Sequence, residues 1–194
     1  MQRTDAELVQ AYVGQSDDGA LSELVVRYQD RVFGFFIRLC RNRDLAEDLA
    51  QETFVKAIKG LEKSLAVEFH VFLFRVARIQ WYSFLRKKYR SPKMHGKADE
   101  YIDQYASDEG GHPERLEEEE IRSSETARLL RAVEKLVPEQ RIVIELGYFL
   151  RVPYKEIAEV LEIPIGTVKS RLNSAVNQLR GLMEGSQLDD PTDR

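Results

Sequence analysis

The chain has 194 residues, a formal net charge of −4 and 43% hydrophobic residues, which is typical of a folded protein with one or two domains. No segment approaches the roughly 18 apolar residues of a membrane span, and the N-terminus lacks a signal peptide's hydrophobic segment. We therefore expect a cytoplasmic protein without membrane insertion. The single cysteine, Cys40, excludes an intrachain disulfide and is expected to be a buried structural thiol.

Charge is distributed in two adjacent blocks of opposite sign. Residues 75–97 contain eight cations and no acid, whereas residues 99–125 contain eleven acids against Arg115 and Arg122. The basic block predicts a nucleic-acid footprint. The acidic block is interpreted equally well as a solvated linker or as a segment that mimics nucleic acid.

Three amphipathic helices are predicted in the N-terminal part. Thr4 with Glu7 resembles a capping box, which starts a helix that ends near Gly14. A long helix follows with apolar residues at helical spacing, and Asp44 with Glu47 predicts a second capping box for the third helix. The apolar side of this third helix is expected to consist of Leu45, Leu49, Phe54, Ile58 and Leu61.

The fourth helix combines aromatic and cationic residues after a predicted loop at 63–68. We expect one side to be core, and Trp81 is also assigned to the core. The other side carries Phe74, Arg75, Arg78, Tyr82 and Arg86. Aromatic rings stack on unpaired bases and arginines bind phosphates, so this side suits single-stranded nucleic acid; the alternative is that Phe74 and Tyr82 also belong to the core.

A helix, tight turn and helix are predicted near the C-terminus. Ile157, Ala158 and Leu161 form one apolar stripe, and a second stripe begins at Val168 after the break at 162–164. Pro164 suits the first position of the second helix. The opposite face of this helix carries Thr167, Lys169, Ser170, Arg171, Asn173 and Ser174. Such groups reach bases and phosphates when a helix-turn-helix docks in the major groove, but an ordinary helical hairpin with a solvated face is the alternative.

Enzymatic chemistry has no support in the sequence. His70, His95 and His112 are too scattered for a metal site, and no phosphate loop or catalytic constellation is present. We therefore predict no catalytic residue, no metal and no cofactor.

Three motifs in order resemble the signatures of extracytoplasmic-function (ECF) sigma factors of bacterial RNA polymerase. They are Asp44 to Phe54 (DLAEDLAQETF), Phe72 to Arg78 (FLFRVAR), and Glu156-Ile157-Ala158 followed by Gly166 to Leu172 (GTVKSRL). The resemblance extends from about Asp5 to Met183. It implies a transcription initiation factor that directs core polymerase to promoters and takes part in a stress response.

The resemblance also implies roles for individual residues. Asp48, Gln51 and Glu52 match the surface that binds the polymerase clamp helices. The −10 element would be captured and melted by Lys63, Ser64, Leu65, Arg75, Arg78, Tyr82 and Arg86. The −35 element would be bound by Thr167, Lys169, Ser170, Arg171, Asn173 and Ser174. The implied partners are core polymerase through its clamp helices and flap, promoter DNA, and an anti-sigma factor.

Departures from the family pattern concern the DNA contacts. Ile79 and Ser83 replace polar residues on the −10 helix, and Ser174 stands where arginine is frequent. Loss of a bidentate arginine–guanine pair removes about 1–3 kcal/mol of discrimination, so the −35 preference should differ from the commonest motif. Two alternatives remain: a helix-turn-helix regulator that acts without polymerase, and a polymerase-binding decoy that fails to melt DNA.

The predicted fold class is all-α, with two small helical domains joined by an acidic linker. Residues 1–92 form sigma domain 2, residues 93–123 the linker, and residues 124–184 sigma domain 4, whose helix-turn-helix binds DNA. Residues 185–194 form a polar tail that is expected to fray.

Overall fold

The computed structural model describes residues 3–66, 68–89 and 125–185, and every regular element in those ranges is helical. The elements are α1 (Asp5–Gln15), α2 (Asp18–Cys40), α3 (Arg43–Lys59), a 3₁₀ helix (Leu61–Ala66), α4 (Phe69–Lys88), α5 (Glu125–Glu134), α6 (Pro138–Ile144), a π-helix (Glu145–Phe149), α7 (Tyr154–Leu161) and α8 (Ile165–Gly185). The all-α prediction is confirmed. The predicted acidic linker, at 93–123, lies outside the described residues.

The described residues form two compact units. The first contains residues 3–66, 68–89 and 155–163, and the second contains residues 125–154 and 164–185. No helix in the described ranges combines the length and the hydropathy that a membrane crossing requires.

Aromatic side chains form the centre of the first unit. The ring of Phe35 lies edge-on to Phe36, with centroids 5.2 Å apart, and to Phe74, with centroids 5.8 Å apart. All three side chains are fully buried. Burying a side chain of this kind stabilises the fold by about 1.5–3 kcal/mol relative to leaving it exposed. This core holds α4 against α2 and thereby fixes the helix that carries the predicted −10 residues.

The helix starts of the first unit confirm one predicted cap and correct another. At α1 the Thr4 backbone N–H donates to Glu7 Oε2 (2.7 Å), and the Glu7 N–H donates to Thr4 Oγ1 (3.3 Å), which is the predicted capping box. The predicted box of Asp44 and Glu47 is wrong. The cap of α3 is Asn42, whose Oδ1 accepts from the Leu45 N–H at 2.8 Å, and Asp44 lies inside the first turn.

A buried tyrosine joins α1 to α2. The Tyr28 hydroxyl donates to the Asp5 carboxylate, which also receives a hydrogen bond from Arg27. Burial and this carboxylate raise the pKa of Tyr28 above its ordinary value. The cluster therefore keeps the phenol protonated and fixes α1 along α2.

The second unit is organised by α8, which packs against α5 and α6. Pro138 occupies the first turn of α6, where its missing N–H is harmless. The apolar residues Ile142, Val143, Leu146, Phe149 and Leu150 predict one regular helix, but the chain widens into the π-helix after Ile144. This change of pitch rotates the last residues, so that Phe149, predicted as part of the apolar stripe, is 44% exposed.

Candidate nucleic-acid and polymerase interfaces

Helix α8 presents the predicted DNA-reading face to solvent. Lys169, Ser170, Asn173 and Ser174 are exposed, whereas Thr167 and Arg171 are half-buried. The Ser170 hydroxyl donates to the Thr167 carbonyl oxygen at 3.0 Å, within the helix itself. The face therefore offers the exposed cation Lys169 and several short polar groups. Side chains of these kinds can reach base edges and phosphates.

Burial of the opposite stripe fixes the orientation of that face. Val168, Leu172 and Ala175 are at most 3% exposed, in a unit where α8 contacts α5 and α6. Two polar contacts reinforce the packing: Arg128 donates to the Met183 carbonyl oxygen (2.8 Å), and Gln178 donates to the Lys135 carbonyl oxygen (3.4 Å). The polar face is therefore held outward by the core of its own unit.

The turn before α8 differs slightly from the prediction. Pro164 precedes the first helical residue, Ile165, instead of occupying that position. The Pro164 carbonyl oxygen accepts hydrogen bonds from the backbone N–H groups of Thr167 (2.9 Å) and Val168 (3.2 Å). The proline thus serves as the helix cap, where its missing N–H again costs nothing.

Helix α3 exposes the predicted polymerase-binding residues along one face. Asp48, Gln51 and Glu52 are all exposed, whereas Ala46, Leu49 and Ala50 are buried on the opposite side. Leu45, Phe54 and Ile58, predicted as core contacts, are only half-buried. The predicted residues therefore share a surface that another protein can contact.

Val55 was missed by the sequence analysis and lies on the same face. Its side chain is 51% exposed, and it stands seven residues after Asp48 and four after Gln51. Residues at these spacings are neighbours along a helix. The face is therefore not purely polar, because it has an apolar side chain among carboxylate and amide groups. The signal available in the sequence was this helical spacing from the polar residues.

Helix α4 brings together only part of the predicted single-strand surface. Phe74 is 1% exposed and packs on Phe35, so its assignment to that surface is wrong and the core alternative holds. Trp81 is 3% exposed, as predicted, and stacks on Phe84 with centroids 5.6 Å apart. Tyr82 is half-buried. The aromatic contribution to this surface is therefore smaller than the sequence suggested.

The arginines of α4 are held by the segment 155–163 of the same unit. Arg78 donates to the Leu161 carbonyl oxygen at 2.5 Å and to the Glu162 carboxylate at 2.6 Å. Arg75 donates to the Glu159 carbonyl oxygen at 3.1 Å. The Arg78 guanidinium lowers the pKa of Glu162 below its ordinary value. In this conformation both guanidinium groups therefore donate to oxygens of the protein itself.

The remaining cation of this set, Arg86, lies in the last turn of α4. It is exposed, and its guanidinium donates to the Ser83 hydroxyl at 3.3 Å. Ser83, one of the two departures noted on this helix, accepts this hydrogen bond. Ile79, the other departure on this helix, is 48% exposed.

The segment predicted as a loop at 63–68 is largely a 3₁₀ helix, Leu61–Ala66. Leu61 is buried at its start, and Leu65 is 54% exposed. The side chains of Lys63 and Ser64 lie outside the described part of the chain. The loop prediction was wrong because a short 3₁₀ helix of six residues lacks the 3.6-residue periodicity used to recognise helices.

The histidines and the cysteine of the chain lie outside these surfaces or outside the described residues. Across the described ranges, no group of three or more His, Cys, Asp and Glu residues could hold a metal ion. His70 contacts the Glu156 carboxylate at 2.6 Å, and His95 and His112 lie outside the described residues. Cys40 is half-buried, not fully buried as predicted, and burial raises the pKa of its thiol above the ordinary value.

Comparison with known proteins identifies the family. The sigma-70 region 2 model matches residues 24–91, and the sigma-70 region 4 model matches residues 126–179. The ECF RNA polymerase sigma-E factor of Haemophilus influenzae is 32% identical over 175 residues, covering 88% of this chain and 90% of the relative. The ECF RNA polymerase sigma factor SigW of Bacillus subtilis is 30% identical over 178 residues, covering 87% and 91% respectively.

Two solved structures have a similar fold. The sigma factor RpoE in complex with the anti-sigma factor NepR from Bartonella quintana matches with a TM-score of 0.61 and 25% identity, covering 89% of this chain and 98% of that one. CnrH in complex with the cytosolic domain of CnrY matches with a TM-score of 0.67 and 20% identity, covering 94% and 99%. Because relatives at 30% identity or more span most of both chains, this protein belongs to the ECF family of RNA polymerase sigma factors, which direct the polymerase to promoters.

Proposed function

We propose that the sigma-factor activity is divided between two domains. Residues 1–92 bind core polymerase through Asp48, Gln51 and Glu52, and they capture and melt the −10 element. Residues 124–184 bind the −35 element through the exposed face of α8, and residues 93–123 join the two. The family-model matches at 24–91 and 126–179 support this division.

One observation carries the proposal for the −35 element. Lys169, Asn173 and Ser174 are exposed on the side of α8 opposite to buried Val168 and Leu172. A recognition helix needs this arrangement, because its apolar stripe must stay in the domain while its polar face enters the major groove. A helix-turn-helix regulator that acts alone is not favoured, since the region 2 match has no role in such a protein.

For the −10 element, the proposal requires an exchange of partners at α4. Arg75 and Arg78 now donate to oxygens of Glu159, Leu161 and Glu162. Phosphate oxygens of a single strand offer acceptors of the same kind, and arginine binds them as a planar donor. Lys63, Ser64 and Leu65 would capture the flipped base, while Tyr82 and Arg86 would follow the strand.

The proposal extends to partners and location. Core polymerase would be contacted at its clamp helices and flap, in the cytoplasm, and the protein would perform no covalent chemistry. The solved complex of a similar sigma factor with an anti-sigma factor supports the existence of such a partner for this chain. An anti-sigma protein should therefore be recovered with this chain from cells in which its promoters are silent.

Run-off transcription from a fragmented genomic library tests the function directly. Bacterial core polymerase is used with and without this protein, and the 5′ ends of the transcripts are sequenced. We expect new start sites that share paired −10 and −35 elements. Core binding without new starts would instead support the decoy alternative, and permanganate footprinting of the promoter bubble would confirm the lack of melting. Absence of core binding would contradict the assignment of α3.

A further inference from the structure

A buried glutamine lies beneath the predicted polymerase-binding face of α3. Gln80 belongs to α4 and is only 3% exposed. Its Nε2 donates to Glu52 Oε2 at 2.7 Å, and its Oε1 accepts from Lys56 Nζ at 2.6 Å. A buried amide requires partners for both of its ends, and here the two partners are charged side chains one turn apart on the neighbouring helix.

Charge determines the orientation of this amide. The carbonyl oxygen faces an ammonium group, and the amide nitrogen faces a carboxylate. The flipped orientation would place donor against donor at Lys56 and acceptor against acceptor at Glu52. Gln80 therefore holds both side chains by charge-assisted hydrogen bonds, which are shorter and stronger than those between neutral groups.

The same amide lies between the two members of an ion pair on α3 and hydrogen-bonds to both of them. Glu52 and Lys56 stand at positions i and i+4 with the glutamate first, which is the favourable order for a salt bridge along a helix. Lys56 Nζ lies 3.6 Å from Glu52 Oε2, which is within ion-pair distance but too far for a hydrogen bond. The ammonium is instead held at the amide oxygen, and the Glu52 side chain remains 59% exposed.

We propose that Gln80 is a positioning residue that keeps Lys56 from forming a direct hydrogen bond to Glu52, so that the Glu52 carboxylate can accept hydrogen bonds from a cationic side chain of core polymerase. The inference rests on the proposed role of Glu52 in polymerase binding. It assigns to Gln80, a buried residue of α4, an indirect role in the polymerase interface on α3. Without Gln80, Lys56 would move onto Glu52 and compete with the polymerase for the carboxylate.

The test is a mutant cycle read out by the affinity for bacterial core RNA polymerase, measured by fluorescence anisotropy of the labelled protein at low salt. Gln80→Leu keeps the volume and removes both hydrogen bonds. We expect it to weaken binding on the order of threefold to tenfold, because one charged contact is lost. In the Lys56→Met background the same substitution should have no effect, because the competing ammonium is absent.

Lys59→Met is the matched control, since it removes an exposed lysine of the same helix that does not contact Gln80. It should not rescue Gln80→Leu. A purely structural role for Gln80 would give the same loss in all three backgrounds and would overturn the proposal. Thermal melting followed by circular dichroism identifies the folded variants. If Gln80→Leu is unfolded at the assay temperature, Gln80→Met replaces it in the mutant cycle.

Glu52→Gln separates this inference from the proposed function. If Glu52→Gln weakens polymerase binding and Gln80→Leu binds as the native protein does, the positioning role is wrong and the role of Glu52 stands. If Glu52→Gln binds as tightly as the native protein, Glu52 is not part of the interface, and the proposal for Gln80 falls with it. Weakening by both, with rescue by Lys56→Met, supports the proposal.

Discussion

Helices α3 and α8 each expose a polar face, but the two faces have opposite character. On α3 the exposed residues include the carboxylates of Asp48 and Glu52, with the apolar Val55 among them. On the first turns of α8 the charged groups are Lys169 and Arg171. An acidic face repels phosphates, whereas a cationic face with short polar groups attracts them. The difference supports the proposed protein partner for α3 and the proposed DNA partner for α8.

The two faces also differ in how their side chains are held. Glu52 is fixed by a hydrogen bond from buried Gln80, whereas Lys169 projects from a helix whose apolar side alone is anchored. A fixed carboxylate pays less conformational entropy when a preformed protein surface docks on it. An exposed lysine with a flexible stem can follow a phosphate backbone that offers many equivalent oxygens. Each arrangement suits the partner inferred from charge.

The largest expected effect comes from the α3 face. Replacing Gln51 and Glu52 together with alanine should abolish transcription by weakening core polymerase binding about a hundredfold, as removal of central interface residues does. Both side chains are exposed, so the fold should be retained. Affinity is measured by titration with core polymerase, and transcription by run-off assay.

The matched control for this double variant is Gln29→Ala with Asp30→Ala. These residues form an adjacent amide and acid pair that is exposed on α2. The control should bind core polymerase as the native protein does. Equal losses in the two variants would show that the effect arises from general surface charge, and the assignment of the α3 face would then be lost.

Substitutions on the α8 face should affect promoter binding and leave core polymerase binding unchanged. Lys169→Ala should weaken promoter binding by about tenfold, the loss of a single base or phosphate contact, and leave core binding unchanged. Arg180→Ala is the control: it removes an exposed cation eleven residues further along α8, about 16 Å away. Promoter affinity is compared by electrophoretic mobility shift of the complete holoenzyme. Loss of core affinity with Lys169→Ala would contradict the division between the two faces.

The α8 face could be predicted from sequence because its pattern is local. Val168 and Leu172 repeat at helical spacing on a helix that packs on one side only, and Pro164 marks the start. Periodicity therefore separates the buried stripe from the polar face without further information. The Thr4 and Glu7 cap of α1 was predictable for the same reason, since all of its partners lie within one helical turn.

Helix α4 could not be resolved in this way, because it contacts α1, α2, α3 and the 3₁₀ helix. A helix that is packed against neighbours on several sides buries residues on more than one of its faces. Phe74 therefore belongs to the core although it shares a side with Arg75 and Arg78. The role of Gln80 depends on Glu52 and Lys56 of another helix, and the pattern of one helix does not reveal such partners.

Local ambiguity explains the other errors. Asn42 and Asp44 are both favoured cap residues, and the spacing of Asp44 to Glu47 selects the wrong one. The π-helix at Glu145–Phe149 leaves no compositional signal, because it depends on how the chain fits its neighbours. Val55 was overlooked because an exposed valine resembles a core residue when only its chemistry is considered.

The smallest expected effect sharpens the description of the α3 face. Val55→Ser should weaken core polymerase binding by about fivefold, because part of an apolar side chain worth about 1.5–3 kcal/mol is no longer buried by the partner. The substitution removes no charge, so the loss should persist when the salt concentration is raised, unlike the loss caused by Glu52→Gln. Val26→Ser provides the control, since Val26 is an apolar residue of α2 that is 66% exposed.

Affinity titrations of the two valine variants at low and high salt distinguish the possible interfaces. If only Val55→Ser weakens binding, at both salt concentrations, the α3 face combines a salt-insensitive apolar contact with the salt-sensitive carboxylate contact of Glu52. Equal weakening by both variants would mean that the polymerase also covers α2. If neither variant has an effect, Val55 lies outside the interface, and polymerase binding by α3 rests on Asp48, Gln51 and Glu52 alone.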